Sequence, residues 1–453
     1  MSSSVYDSVL FKDSFGTEKM RDIFSAESLV QKWLDVEAAL AKAEAKLGII
    51  PEAAGKEIVS KAKLENIDLE ELGREMKEIS HPIVPLIRQL TDACESGYGE
   101  FVHWGATTQD IMDTANVLQI REAIEVYEKG ILAIQKILVK MIEDTKEVVL
   151  AGRTHGQHGL PITFAYKASV WLAEINRSSE RLQQMKPRLL VGQFSGAVGS
   201  LASIKENGIE LQKEMMKELD LGVPSVSWHA ARDNFTEFAS FMGILGSTLA
   251  KIANEVFHLQ KTEFTELEEP FKKGKVGSST MPHKRNPSRA QNIVTMSRIL
   301  KQNIPLFLEA MIHQHERDMI SWQMEWELLP ESCMLFGAIL SSTEELLKGL
   351  TINKDRMYKN VSELTNGLIM SEAIMIKLGE TIGRQHSHDL IYDACMAAYE
   401  QNTDVRDLLY KDDAVKAEFT EEEFKNMFEI KNYTGYSNVF ADQVLEETKQ
   451  LIG

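Results

Sequence analysis

The chain has 453 residues, 43% apolar and 26% charged, a balance typical of folded proteins rather than of disordered segments. At about 100–200 residues per domain this length predicts two to four domains. Fifty Lys plus Arg against 68 Asp plus Glu leave a net charge of −18, a field that repels phosphate backbones and anionic lipid surfaces and argues against nucleic acid as a partner. No stretch of about 20 apolar residues is found, and the start of the chain lacks a basic segment followed by an apolar run, so neither a membrane nor secretion is expected and a cytoplasmic location is. Cys94, Cys333 and Cys395 are odd in number and far apart, which predicts reduced thiols rather than a disulfide framework or a thiolate metal cluster.

In chain order, the first irregular stretch that carries polar residues runs from Val102 to Asp113. It leads into a long helix over 110–147, whose apolar positions Val117, Ile120, Ile124, Tyr127, Ile131, Ile134, Leu138 and Met141 alternate steps of three and four and so form one seam. A second break, Gly152 to Pro161, precedes a seam through Phe164, Ala168, Trp171, Ile175, Leu182 and Met185. A third break, Gly222 to Asp233, precedes one through Phe238, Phe241, Leu245, Leu249, Ile252, Val256 and Leu259. Three such stripes predict a helical bundle, closed either within the chain or by helices of other subunits. No alternating pattern is sustained enough to predict a sheet, so the expected fold is nearly all helical. A fourth break runs from Glu268 to Pro287, and no proline follows Pro330, which leaves room for long C-terminal helices.

The fourth break gathers Lys272, Lys273, Lys275, Lys284, Arg285 and Arg289 within an acidic chain. Gly274 and Gly277 let the backbone turn and expose N–H groups, and Ser278 and Ser279 add hydroxyls. An anion site and an ordinary solvated surface loop are both compatible with that composition.

The string Gly277-Ser278-Ser279-Thr280-Met281-Pro282-His283-Lys284-Arg285-Asn286-Pro287 resembles the signature loop of the fumarase/aspartase superfamily. The superfamily's other two signature regions are matched by His103-Trp104-Gly105-Ala106-Thr107-Thr108-Gln109-Asp110 and by Gly152-Arg153-Thr154-His155-Gly156-Gln157-His158. The resemblance covers nearly the whole chain from about Phe11. It implies an all-α fold of three helical domains, 1–109, 110–355 and 356–453, the middle one forming a twenty-helix core in a homotetramer. Each active site would be shared, with segments 103–110, 152–161 and 277–287 drawn from different chains.

The implied reaction begins when a base takes a proton from the carbon beside a carboxylate; a group on the adjacent carbon then leaves. The carboxylate becomes a doubly charged aci-carboxylate, which only cations and N–H groups fixed in advance can stabilise. The resemblance assigns the base to Ser278, with Ser279 the lesser alternative, and the carboxylate to Lys284 and Asn286. Thr107 and Thr108 would grip the other carboxylate; capping of the helix that follows is an alternative compatible with that role. His155 matches the general acid of the adenylosuccinate lyase-like and argininosuccinate lyase-like branches, and histidine as a residue type suits the task near neutral pH. The alternative for His155 and His158, three residues apart, is metal binding on one helical face, but no further ligand accompanies them. No cofactor or metal is expected. His81 and His103 also fall on histidine positions of adenylosuccinate lyase.

Two branches share the features of this chain. His155 looks like adenylosuccinate lyase, because the 3-carboxy-cis,cis-muconate cycloisomerases typically carry Trp there. Ser321-Trp322-Gln323-Met324-Glu325-Trp326, Trp33 to Ala41 and Trp228-His229 look more like the cycloisomerases. Adenylosuccinate lyases use Ser and Arg for the nucleotide phosphate where Trp322 and Trp326 stand here. Gln291 replaces a Glu that orients the catalytic histidine in both branches, and an amide cannot stabilise an imidazolium as a carboxylate does. Arg317, Arg232 and Gln291 join the expected substrate contacts, and specificity is expected from the convergence of Arg232, His229, Trp322, Gln323 and Trp326. The reading is a carbon–nitrogen lyase that releases fumarate from an N-succinyl-type substrate, a small di- or tricarboxylate. The alternatives are the cycloisomerase and a catalytically silent structural homologue, against which the intact Ser278, His155, Lys284 and Asn286 speak.

Overall fold

The computed structural model describes residues 4–271, 274 and 277–453; Lys272, Lys273 and Lys275 of the basic cluster lie outside them. Nineteen α-helices, five short 3-10 turns and four strands are found among the described residues. The elements that position the site are α1 (Ala26–Lys46), α2 (Thr108–Glu143), β1 (Val149–Thr154), β2 (Gln157–Thr163), α3 (Phe164–Leu189), α4 (Asp233–Leu259), α5 (Ser288–Ala310) and α6 (Met319–Lys348). No described helix is long and apolar enough to cross a membrane.

All three seams are buried. Val117, Ile120, Tyr127 and Ile134 on α2, Phe164, Ala168 and Ile175 on α3, and Phe238, Leu245 and Val256 on α4 are fully shielded from solvent. At roughly 1.5–3 kcal/mol for each large apolar side chain, this burial outweighs the intrinsic propensities of residues such as Ile120, Tyr127 and Phe238, which are poorer helix formers than Ala or Leu.

The described chain divides into two compact units. Unit 1 comprises residues 4–131, 178–249 and 292–342. Its core joins Trp33, Leu34, Val36 and Leu40 of α1 to Ile111, Ala115 and Leu118 of α2 and to Trp322 of α6. Tyr127 is clasped between Phe336, edge-on at 4.7 Å, and Phe238 at 6.2 Å, and its hydroxyl donates to the Cys333 carbonyl at 3.0 Å. Cys333 is free and buried, so burial raises its thiol to about 12 and keeps it inert.

Unit 2 holds residues 132–177, 250–291 and 343–453 apart from the masked positions. Here Val149 and Ala151 of β1 pack on Val361, Ile369, Ile374 and the helices that follow. The Gly152–Pro161 break is not irregular, as the sequence suggested, but folds as an antiparallel hairpin with Val149 facing Thr163 and Thr154 facing Gln157. A register shift between Ala151 and Arg153 interrupts the alternation, so two short strands left no period-2 signal to read.

Candidate active site

The expected site residues fall into both units. His81, His103, Thr107, Thr108, Arg232 and Arg317 belong to unit 1, whereas His155, Ser278, Lys284, Asn286 and Gln291 belong to unit 2.

In unit 1 the Thr107–Thr108 pair opens α2. Thr107 donates its backbone N–H to Asp110 Oδ2 at 3.0 Å. Thr108 Oγ1 is 3.3 Å from His81 Nε2. Because His81 Nδ1 accepts the Val84 N–H at 3.2 Å, the ring proton belongs on Nε2 and is donated to Thr108 Oγ1. That leaves the Thr108 hydroxyl proton to be offered to an incoming acceptor. Thr107 is thus held through its backbone N–H, while the Thr108 hydroxyl is oriented by His81.

Asp110, fully buried, is the junction of this region. Its Oδ1 accepts the Ser195 N–H at 3.0 Å and lies 2.8 Å from His229 Nε2, while Oδ2 also accepts the Gly196 N–H at 2.9 Å. Its neighbour Gln109 donates to the His229 carbonyl at 3.0 Å and accepts Arg317 Nε at 2.9 Å. Arg317 also donates from Nη2 to the Ala197 carbonyl at 3.0 Å. The guanidinium is therefore aimed by two fixed acceptors rather than left to sample rotamers. Asp110 and Gln109 were quoted in the sequence motif without a role. Their burial, which no sequence period reveals, makes them positioning residues.

His103 adopts φ +62°, an unusual conformation for a residue with a Cβ, and its Nδ1 lies 2.6 Å from Glu37 Oε1. Burial disfavours the charged ring, but the Glu37 carboxylate, its hydrogen bond and the nearby Asp110 outweigh it and raise the His103 pKa. Seven residues along α1, Glu44 is wholly buried with neither carboxyl oxygen partnered. Burial, and then the neighbouring Glu37, push its carboxyl up to about 9, so Glu44 is a neutral acid at pH 7.

Arg232 departs from the expectation of a substrate contact. It is 1% exposed. Its Nη1 and Nη2 donate to Asp113 at 2.7 and 3.1 Å, and Nε donates to Glu325 at 3.0 Å. The rings of Trp228 and Phe235 cover it at 5.0 and 4.9 Å. The guanidinium is spent on a buried ion cage that also takes Trp322, whose Nε1 donates to Asp113 Oδ1 at 3.0 Å. Arg232 and Trp322 therefore brace the site, and neither guanidinium nor indole N–H is left for a ligand.

In unit 2, His155 (φ +51°) and Gly156 (φ +76°) form the two-residue turn of the β1–β2 hairpin. Two positive φ angles define the type I′ geometry that matches strand twist. The imidazole is thus exposed at a hairpin tip. His155 and His158 do not share a helical face, as the metal alternative required. His158 is on β2, its Nδ1 is buried without a partner, and burial, followed by Arg153, lowers its pKa. The hairpin is held from below by Arg153, which donates to Glu266 Oε2 at 3.0 Å, and Glu266 also accepts Asn360 Nδ2 at 2.8 Å.

Ser278 Oγ accepts the backbone N–H groups of Met281 at 3.0 Å and Thr280 at 3.3 Å. Among the described residues Ser279 Oγ meets only Thr280 Oγ1, at 3.5 Å. Such a turn is a common local motif, yet it also supplies what an alkoxide needs, two N–H dipoles aimed at the oxygen. The loop is closed by Asn286, whose Nδ2 donates to the Gly277 carbonyl at 2.6 Å. A Cβ on Gly277 would lie 2.3 Å from the Lys284 carbonyl oxygen, so only glycine fits. Lys284 is exposed. Arg285 is held by Glu268 at 2.7 Å and stacks 4.6 Å over Phe271. Downstream, the buried Glu269 accepts the N–H groups of Arg289 at 3.0 Å and Ala290 at 3.2 Å, fixing the start of α5 through its dipole. Gln291 is exposed on that first turn.

The helical fold, with its threonine pair at one helix start and its N–H-lined serine loop, is that of a lyase. Residues 14–300 match the family described as Lyase and 367–444 that described as Adenylosuccinate lyase C-terminus; the chain belongs to this lyase family of the fumarase/aspartase superfamily. Within it, the chain falls in the branch that joins adenylosuccinate lyases and carboxymuconate cycloisomerases, and it is an adenylosuccinate lyase-like, fumarate-releasing enzyme. It is 39% identical to the N-acetyl-S-(2-succino)cysteine lyase of Enterococcus italicus over 98% of this chain and 97% of that one. To the adenylosuccinate lyase of Methanocaldococcus jannaschii it is 39% identical over 96% of this chain and 95% of that one. The crystal structure of the 3-carboxy-cis,cis-muconate lactonizing enzyme from Pseudomonas putida superposes with a TM-score of 0.93 at 32% identity, covering 98% of this chain and 100% of that one.

Proposed function

We propose that the enzyme releases fumarate from a 2-succinyl-substituted heteroatom compound that carries no nucleotide phosphate. The observation that carries the proton-abstraction step is the pair of N–H groups on Ser278 Oγ. As an alkoxide, Ser278 takes the proton from the carbon beside one carboxylate. The electron pair moves into the carboxylate as the aci form, held by Lys284, and then forms the C=C bond of fumarate as the bond to the heteroatom breaks. Thr107, Thr108, His81, His103 and Arg317 hold the second carboxylate. Asn286 acts by closing the loop around Ser278.

The heteroatom leaves with a proton from His155 if it is nitrogen, because an amide-type anion is far too basic to depart. A thiolate, with an ordinary pKa of about 8.5, departs without that help. Gln291 stands where the family places the carboxylate that orients the catalytic histidine, and a leaving group that needs no proton extends the nitrogen reading to sulfur, in keeping with the name of the Enterococcus relative. The tryptophans at 322 and 326 support the absence of phosphate, since neither can give a dianion the charge-assisted pair that arginine gives.

The enzyme acts as a homotetramer with three helical domains, 1–109, 110–355 and 356–453, and composite active sites. The placement of His155 on an exposed hairpin tip and of Lys284 on an exposed loop supports this reading. Mixing Ser278→Ala and His155→Ala proteins, unfolding and reassembling them together, restores activity if the two residues come from different chains; a mixture as inactive as its parents refutes it.

The deciding assay follows fumarate absorbance with succinylated thiols, succinylated amines, adenylosuccinate and 3-carboxymuconate in parallel. Fumarate from a succinylated thiol or amine but not from adenylosuccinate is expected. Lactone formation from the muconate would instead establish cycloisomerisation, the second reading, which the Ser321–Trp326 sequence and the Pseudomonas structure favour.

A further inference from the structure

Helix α1 buries two carboxyl groups, Glu37 and Glu44. Close to two helical turns separate them, so they share a face. A buried acid is costly unless it is neutral or paired. Glu44 takes the first course: burial, and then Glu37, keep its carboxyl protonated at pH 7. Glu37 takes the second. Its Oε1 lies 2.6 Å from His103 Nδ1, while Oε2 is shielded from solvent and has no partner among the described residues. Among those residues His103 is the only group paired with that carboxylate that can carry a positive charge.

The bond to Glu37 also helps hold His103 at φ +62°, a conformation that residues with a Cβ keep only where the surroundings enforce it. Asp110, which accepts the Thr107 N–H at 3.0 Å, acts on the same ring, so the ring stands beside the start of α2. Its Nε2 has no partner among the described residues and is not buried. With Nδ1 engaged by Glu37, Nε2 is the nitrogen left for a ligand. Burial alone would keep the ring neutral; Glu37 and then Asp110 carry it the other way. These carboxylates, one from α1 and one from α2, are the charged groups that face it among the described residues, and Glu44 stands behind Glu37 without charge.

The proton count on this ring decides what it can bind. A neutral imidazole that donates from Nδ1 to Glu37 has only a lone pair on Nε2, which repels a carboxylate; the imidazolium has an N–H on each nitrogen. We propose that Glu37 is a positioning residue of the carboxylate grip, holding His103 as an imidazolium and leaving its Nε2–H for the substrate carboxylate beside Thr107 and Thr108. The proposal rests on the reading of those threonines and His103 as the grip.

The test is Glu37→Gln, which keeps the shape and an acceptor for Nδ1 but removes the charge. Deuterium exchange at the His103 ring carbon between the nitrogens, followed by mass spectrometry against pH, should show the wild-type ring titrating above the ordinary value of about 6.5. The variant ring should titrate below it, because burial then prevails. At pH 7 the variant's KM for a 2-succinylated thiol should rise about tenfold with kcat within about twofold; a loosened fold would lower kcat and leave the titration in place. Wild-type KM should also climb as pH passes through the His103 titration, while the variant's stays level above pH 6.5. A wild-type ring titrating below 6.5, a variant ring titrating with it, or an unchanged KM beside a shifted titration overturns the proposal. If Glu37→Gln does not fold, the wild-type titration and the pH dependence of its KM decide. If no succinylated compound is turned over, the proposed reaction fails instead, and calorimetry with succinate judges Glu37: about tenfold weaker binding in the variant supports the proposal, and equal affinity or no wild-type binding refutes it.

Discussion

The two groups of expected site residues are built in opposite ways. Around Thr107 and Thr108, buried charges hold each other: Asp110 takes three backbone N–H groups and faces His229, Arg317 is aimed by two acceptors, and Arg232 is enclosed by Asp113 and Glu325. Around Ser278 and His155, the reactive groups stand on turns, exposed or half-buried, held mainly through backbone geometry. Binding a dianion rewards groups oriented before it arrives, because their ordering cost is met during folding. In the proposed composite site a base and an acid have to reach atoms held by other chains, a task that projecting turns suit. Burial marks the group around Thr107 and Thr108, and backbone conformation marks the group around Ser278 and His155.

Substitutions can break this contrast. Ser278→Ala should lower kcat by about a thousandfold or more and leave KM within a few-fold, since the hydroxyl acts in the transition state alone; stopped-flow and steady-state fumarate assays measure both. A kcat near wild type would place the base elsewhere. Arg232→Leu leaves two buried carboxylates without their counter-ion and should cost about 3–5 kcal/mol in denaturant unfolding. Loss of activity without loss of stability would return Arg232 to the substrate contacts.

Glu44→Gln probes the buried side more gently. The Glu44 carboxyl is raised from 4.5 to about 9 in the folded protein, so folding takes up a proton. Stability from this group is greatest below the unfolded value and is lost as pH rises from about 4.5 through about 9. The amide removes that dependence, so the variant should gain about 4–5 kcal/mol relative to wild type at pH 8 and little at pH 5. Equal effects at the two pH values would mean that Glu44 is charged in the fold. The smallest expected effect is none at all: excess EDTA should leave turnover unchanged, and inactivation reversed by added metal would revive a ligand role for His155 and His158.

Much of the helical framework was legible because it is periodic. Steps of three and four from Val117 to Met141 state which face of α2 is buried, and burial follows them residue by residue. The 277–287 string was legible for another reason, since the family's loop is kept as a string. The β1–β2 hairpin was not legible, because a bulge and a two-residue turn erase alternation within so short a segment. The ion cage was not legible either. Arg232, Asp113 and Glu325 are far apart in the chain, and nothing local distinguishes a buried arginine from one that faces a ligand.

By itself, then, the sequence determined the reaction class and the helical framework, because both reside in local patterns: a contiguous loop for the first and hydrophobic period for the second. Only the tertiary structure decided which charged residues remain available to a substrate. It assigned Arg232 to the cage, aimed Arg317, made Glu44 a neutral acid and set Glu37 against His103. The availability of a charge depends on neighbours distant in sequence and on how much water the fold removes, and neither quantity is written in any single stretch of the chain.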